Sequence, residues 1–326
     1  MDEKINIDLN SIFEPVADEL EQVKGLIAEQ LSDCHEALRP LVKPFVNSKG
    51  KLLRPAFLLL SGKSCGVLSE KHICAAATVE MIHDATLLHD DVIDHGMLRR
   101  GEATVNYLYG NESAVLLGDF FLTRVFRMIT DLDSRVLSLV AQTAANTCEG
   151  ELRQVLSKRN WEIGEEEYID MIANKTAALF GCCCQSGAML SGASDEEALR
   201  FGRFGKCTGI AFQITDDLLD IVGVEKHTGK TSGRDVEGKK LTLSLIHLLN
   251  EKSGGDRNAL IGRLEKDEIG DDELKRMLDE SGSIAYARRR SQEFTEEAIK
   301  EIAGVPENAA KKNIIELSRF ASARFH

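Results

Sequence analysis

The chain has 326 residues, 43% of them hydrophobic and 6% aromatic, and carries a net charge of −13. Acidity on that scale excludes nucleic-acid binding as a main role, because phosphate backbones need a basic face, and no apolar stretch is long enough to span a bilayer. The 8 cysteines lie mostly in apolar helical stretches, and Cys182-Cys183-Cys184 lacks zinc-site spacing, so they read as small packing residues in a reducing compartment.

The acidic N-terminus lacks a charged-then-apolar signal pattern, which predicts a soluble, cytoplasmic protein. Only 5 prolines and abundant Ala, Leu and Glu favour helices, and no run of alternating β-branched residues argues for a sheet, so the expected fold class is all-α. No Pro/Ser-rich linker interrupts the apolar periodicity, which predicts one domain over residues 1–326. In chain order, Ser11 with Glu14 forms a capping box for a helix reaching residue 31. Helices follow over residues 53–60, 70–94, 112–130, 135–157 and 165–191. Ser194 with Glu197 caps a further helix that ends in an acidic motif near residue 220. Residues 226–238, rich in glycine, predict a mobile loop over that motif. A helix over 242–250 and amphipathic helices over 271–324, broken around Gly282 and Gly304-Val305-Pro306, complete the chain.

Two copies of one acidic pattern stand far apart, Asp90-Asp91-Val92-Ile93-Asp94 and Asp216-Asp217-Leu218-Leu219-Asp220. Each ends a stretch with helical spacing, so its first and last carboxylates lie one turn apart on one face. Mg²⁺ takes hard oxygen ligands and is held by one or two carboxylates plus substrate phosphates, which such a face offers. A solvated helix end is the plainer explanation of an acidic cluster. Here, however, each motif precedes a glycine stop, Gly96 or Gly223, and so stands at the negative pole of its helix, where uncompensated acids destabilise. The intervening Val92, Ile93, Leu218 and Leu219 are apolar, which turns these helix ends toward a cavity. Asp271-Asp272-Glu273, on a polar segment, reads instead as solvated surface. Bases follow both motifs, Arg99-Arg100 after the first and Lys226, Lys230, Lys239 and Lys240 after the second, as a polyanion such as diphosphate requires.

The stretch EMIHDATLLHDDVIDHGMLRRG from Glu80 to Gly101 resembles the first aspartate-rich motif of the trans-isoprenyl (polyprenyl) diphosphate synthases, and GIAFQITDDLLD from Gly209 resembles the second. Gly50-Lys51-Leu52-Leu53-Arg54-Pro55, Lys175-Thr176 and Gly229-Lys230 are similar to the family's intermediate markers, in the same order. Lys49 and Leu52 depart from the pattern, standing where the family often has a glycine and a basic residue. The resemblance covers nearly the whole chain. It implies a helical bundle of the isoprenoid synthase type around a central substrate cavity, a homodimer, and several Mg²⁺ ions bound with an allylic diphosphate. It implies that Asp90, Asp94 and Asp216 hold metal, with Asp91, Asp217 and Asp220 as direct or indirect partners. It further implies that Lys51, Arg54, His83 and Arg100 hold isopentenyl diphosphate without metal. Arg99, Lys175, Thr176, Gln213 and Lys230 are implied to hold the allylic diphosphate, and Lys239 is a further substrate-binding candidate.

The implied reaction is electrophilic prenyl transfer, in which the allylic diphosphate departs, the isopentenyl double bond attacks the carbocation, and a proton is lost, with the released diphosphate as the base. Product length is implied to follow from what lies beneath the first motif. Ala85 stands at the fifth position upstream of Asp90, where short-chain synthases carry a bulky aromatic, and Thr86 lies one turn before Asp90. An unblocked turn lengthens the cavity by about 5.4 Å, near one isoprene unit, so a long-chain, octaprenyl-type product is expected, with farnesyl or geranylgeranyl diphosphate as the alternative. Ala141 and Ala145 on a following helix point the same way, and Phe120 or Phe121 are candidates for a floor. His83, a lone helix histidine, rises above a plain core group through the family pattern alone. The glycines around Gly202 and Gly205 follow no strand, which leaves dinucleotide binding without support. A terpene cyclase would have no use for the second diphosphate site offered by Lys51, Arg54 and Arg100, and a non-catalytic subunit would show degraded motifs.

Overall fold

The computed structural model describes residues 9–47, 50–99, 101–222 and 241–322. The helices run in the order α1 (Leu9–Phe13), α2 (Ala17–Ser32), α3 (Arg39–Val46), α4 (Leu53–Cys65), α5 (Glu70–Ile93), α6 (Val105–Tyr109), α7 (Asn111–Ile129), α8 (Ser134–Leu156), α9 (Glu165–Ile172), α10 (Ala178–Leu190) and α11 (Asp195–Val222). The C-terminal part adds α12 (Leu243–Glu251), α13 (Gly254–Glu265), α14 (Asp271–Glu280), α15 (Ser283–Glu301) and α16 (Ala309–Ser322). Among the described residues the only sheet is a hairpin, Leu98–Arg99 against Glu102–Ala103, with Leu98 opposite Ala103. The fold is all-α, as expected.

α5 is apolar nearly all round, a pattern that is stable only when buried. Its residues Ala75, Ala76, Ala77, Val79, Met81, Ile82, Ala85 and Leu88 are at most 3% exposed. Phe57, Leu58, Leu59 and Leu60 of α4 are fully enclosed, each leucine contributing about 1.5–3 kcal/mol of burial before chain entropy is counted. α10 packs against α4 and α11, α11 also against α15, and α5 against α7. A second core around Tyr168, Ile172, Ile214, Leu218, Leu243 and Ala287 joins α9, α11, α12 and α15. Both acidic motifs therefore sit on helices fixed by core packing.

Several elements differ from expectation. Ser11 lies inside α1, and a 3₁₀ turn at Glu14–Val16 separates α1 from α2. Pro15 has no amide hydrogen to continue the helix, so Ser11 is no N-cap. The stretch 165–191 is not one α-helix, because a π turn at Ala173–Ala177 divides α9 from α10. The helix after the first motif is stopped by His95, not Gly96: His95 takes the left-handed conformation at φ 51°. The Gly96 amide then reaches back to the Asp91 carbonyl at 2.7 Å and the His95 amide to that of Val92 at 3.3 Å, a Schellman closure with glycine one position late. Ala141 and Ala145 are exposed on α8, so they line no interior tunnel of this chain. The 226–238 segment lies outside the described residues. No helix among the described residues is long and apolar enough to cross a membrane.

Candidate active site

The first motif occupies the last turn of α5. The Asp94 amide donates to the Asp90 carbonyl at 2.8 Å, so the first and last carboxylates stand one turn apart, as the spacing predicts. Asp91, 5% exposed, turns the other way. Arg99 of the hairpin grips it through Nε, at 3.0 Å to both carboxylate oxygens, and through Nη2 at 2.7 Å. Asn106 Nδ2 donates to the Asp91 and Gly96 carbonyls at 3.0 and 2.9 Å, and Thr104 Oγ1 to Gly96 at 2.6 Å. The negative helix end is thus compensated by one guanidinium and by donors to its open carbonyls.

Asp90 is half-buried. Its carboxyl is pushed up to about 6, chiefly by burial; Lys175 pulls it down, Glu151 and Asp94 push it up, and Arg99 lowers it. These interactions put the Lys175 ammonium beside the first motif. Lys175 Nζ donates to Gln154 Oε1 at 2.7 Å and forms an ion pair with Glu151, both on α8.

Lys175 and Thr176 belong to the π turn, and two glycines let neighbouring helices close on it. A Cβ on Gly150 of α8 would stand 2.4 Å from the Lys175 amide nitrogen, and one on Gly209 of α11 would stand 2.6 Å from the Ala177 Cα. Gly205, a turn earlier on α11, likewise admits the Phe180 carbonyl, which explains that glycine without any nucleotide. Thr176 Oγ1 donates to Gln213 Oε1 at 2.8 Å, Gln213 Nε2 to Asp217 Oδ1 at 2.7 Å, and the Tyr168 hydroxyl to Asp217 Oδ2 at 2.5 Å. Lys175 therefore interacts with the first motif, and Thr176 with the second through Gln213.

The basic residues preceding α5 use aromatic supports. The Arg54 guanidinium lies 4.8 Å from the centre of the Phe180 ring, and Lys51 Nζ 5.6 Å from that of Phe320 on α16. Leu52 between them is left-handed at φ 47°. His83 is half-buried on α5.

No three His, Cys, Asp or Glu side chains among the described residues converge into a self-sufficient metal cage. Mg²⁺ needs no such cage, since it relies on one or two carboxylates and completes its shell with water and phosphate. Asp90 and Asp94, one turn apart at the end of α5 with Glu151 acting on Asp90, offer hard carboxylate oxygens, so the residues present fit such an ion. A cleft of about 450 Å³ between Asp272, Lys275, Arg276, Asp279, Ile284 and Arg288 lies on elements that carry none of the expected site residues.

The polyprenyl synthetase family model matches residues 35–281. The chain belongs to that family. It is 34% identical over 322 residues to the octaprenyl diphosphate synthase of Escherichia coli (strain K12), covering 98% of this chain and 99% of that protein. It is 33% identical over 317 residues to the geranylgeranyl pyrophosphate synthase of Geoglobus acetivorans, covering 94% and 96%. The crystal structure of a polyprenyl synthase from Caulobacter crescentus CB15, complexed with calcium and isoprenyl diphosphate, superposes with a TM-score of 0.91 at 27% identity, covering 97% and 98%. The fold is that of the isoprenoid synthases, and the chain is a prenyltransferase.

Within this polyprenyl synthetase, Asp90, Asp91, Asp94, Arg99 and Lys175 form one neighbourhood, and Thr176, Gln213 and Asp217 the other. Asp216 and Asp220 lie half-buried beside Asp217 on α11. Arg100, Lys230 and Lys239, like Gly223, Lys226 and Lys240, lie outside the described residues. Tyr168, Glu151 and Gln154 were not singled out from the sequence. Glu151 and Gln154 sit three apart on one face of α8, a signal indistinguishable from a solvated helix surface until Lys175 is placed against it.

Proposed function

We propose that this prenyltransferase condenses isopentenyl diphosphate with an allylic diphosphate, head to tail, to give an all-trans long-chain polyprenyl diphosphate. The observation that carries the reading is the meeting of both acidic motifs at one π turn, with Lys175 beside Asp90 and Thr176 tied to Asp217 through Gln213. In this reading Asp90, Asp94 and Asp216 hold Mg²⁺, and Asp91, Asp217 and Asp220 support them. When bound, the ions supply charge neutralisation of the departing diphosphate. Arg99, Lys175, Thr176, Gln213 and Lys230 orient the allylic diphosphate oxygens, with Lys239 nearby. Lys51, Arg54, His83 and Arg100 hold the second diphosphate so that the isopentenyl double bond faces the allylic carbon. The allylic C–O bond breaks with its electron pair going to diphosphate, the double bond forms the new C–C bond, and the released diphosphate takes the proton. The apolar faces of α4, α5 and α10 keep water from the cation.

Chain length is read from Ala85, a small side chain 1% exposed on α5, at the position where the resemblance implies a bulky aromatic in short-chain synthases. A shorter product is the second reading. It is favoured by Phe121 of α7, fully buried and edge-on to Phe45 at 5.0 Å, an aromatic wall against the helix that carries Ala85. The proposal includes a homodimer, supported by apolar side chains left open on α7 and α8, with Leu116, Phe126, Leu152 and Leu156 between 58% and 83% exposed. It also includes a cytoplasmic location, supported by 8 cysteines that form no disulfide. Incubating the purified protein alone with isopentenyl and farnesyl diphosphates and Mg²⁺, then sizing the product, tests the reading. Long polyprenyl chains are expected; a cyclised hydrocarbon, or no product without a partner subunit, would overturn it.

A further inference from the structure

We propose that Tyr168 is a positioning residue of the allylic diphosphate clamp, acting through Asp217; the inference rests on the prenyl-transfer reading above. Tyr168 is 1% exposed, its ring enclosed in the core that joins α9 to α11. A buried phenol needs a partner for its hydroxyl, and here the partner is the middle carboxylate of the second motif. The 2.5 Å separation is that of a charge-assisted O–H···O⁻ bond.

The middle aspartates of the two motifs are used alike. Asp91 has both oxygens engaged by Arg99, and Asp217 receives Tyr168 on Oδ2 and Gln213 on Oδ1. On a helix with 3.6 residues per turn, consecutive side chains diverge by about 100°, so the middle carboxylate turns off the line joining the first and last and grips protein instead. In the second motif the grip extends further. Ionised Asp217 only accepts, so Gln213 must present Nε2 to it and Oε1 to Thr176, which fixes the amide's orientation. Tyr168 and Thr176 lie on either side of the π turn centre and are tied to the same Asp217–Gln213 pair. π turns are rare insertions in helices, and this one is tied to α11 by Tyr168 in the helix just before it and by Thr176 within it, with Gly209 closing on its last residue, Ala177. The Tyr168 hydroxyl is the N-terminal pin. Without it, the hydrogen-bonded tie between Asp217 and this stretch of chain is left to Thr176 through Gln213 alone.

The test compares full-length wild type with Tyr168→Phe, Asp217→Asn and the double variant. Binding of inorganic diphosphate in MgCl₂ is followed by calorimetry, alongside KM for both substrates and the thermal midpoint. Tyr168→Phe should weaken magnesium-dependent diphosphate binding about tenfold and raise the allylic KM in step, leaving the isopentenyl KM and the midpoint near wild type. The loss should vanish when Asp217 is already Asn. The inference is overturned by unchanged diphosphate binding, by an equal rise in both KM values with a lowered midpoint, or by additive losses in the double variant. A wild type that binds diphosphate and shows the Tyr168 effect yet forms no prenyl product sinks the reaction assigned above and leaves the positioning role standing. Normal turnover with an indifferent Tyr168→Phe sinks the positioning role alone, and a wild type that binds no diphosphate sinks both.

Discussion

Arg99 holds Asp91 through three hydrogen bonds, at 3.0, 3.0 and 2.7 Å, and so fastens the hairpin to the last turn of α5. The planar guanidinium spans both carboxylate oxygens, which a lysine point charge cannot do. Arg99→Lys should therefore raise the allylic KM by the equivalent of about 1.5–3 kcal/mol, and Asp91→Asn should do nearly the same. Their combination should cost no more than either alone. Additive losses in steady-state kinetics would show that the two residues act separately.

Asp90→Ala and Asp216→Ala should each remove most magnesium-dependent turnover while the helical circular dichroism spectrum stays that of the wild type. The paired helix-face carboxylates motivate this expectation. Near-normal turnover with unchanged Mg²⁺ dependence in either variant would place the metal elsewhere.

The Asp90 carboxyl, raised from 3.8 to about 6 by burial first, predicts a pH signature. A raised acid binds its proton more tightly when folded, so its contribution to stability is present below its ordinary range and lost as pH rises through 6. Metal-free Asp90→Asn should thus melt above the wild type at pH 8, with the gap closing below pH 4. Mg²⁺ affinity of the wild type should fall as pH drops through 6, because the ion displaces that proton. A gap in melting temperature that does not vary with pH would remove Asp90 as its source.

Lys51→Ala or Arg54→Ala should weaken isopentenyl diphosphate by about 1.5–3 kcal/mol, the scale of one charge-assisted hydrogen bond, with little change for the allylic substrate. Lys175→Ala should reverse that preference. KM values shifted equally for both substrates by all three variants would argue against two separate sites.

Ala85→Phe should shorten the product sharply while the first condensations persist. The residue is 1% exposed on α5, so the added ring must enter space beneath the first motif or strain the core by about 1–3 kcal/mol. Product sizing separates these outcomes. An unchanged product distribution would exclude Ala85 as the determinant of length.

Most of the helical layout was legible because caps and apolar periodicity agree. Ser194 and Glu197 exchange the expected bonds, at 3.0 Å from the Ser194 amide to Glu197 Oε2 and 3.3 Å from the Glu197 amide to Ser194 Oγ. The cap of α5 uses the same reciprocal geometry but with His72 in the acid's place, its Nδ1 3.1 Å from the Ser69 amide, and a pattern written for Glu or Gln does not find it. The motif aspartates were legible because acids at an apolar helix end demand compensation. The compensating groups were not, since Glu151, Gln154 and Tyr168 meet Lys175 and Asp217 only through the crossing of α8, α9 and α11. Nor does any local signal announce the π turn, whose glycine neighbours Gly150 and Gly209 are far from it in sequence.

That turn also limits how the chain can change length. Deleting one residue from 173–177 would let α9 run into α10 as ordinary helix, turning everything beyond by about 100° and drawing it in by about 1.5 Å. If α10 kept its seat against α4, Tyr168 would swing off Asp217; if Tyr168 kept its place, Lys175 and Thr176 would face new neighbours. A single-residue gap should thus be tolerated in the surface connections and rejected here, where one extra residue sets the angular phase between two halves of a helix.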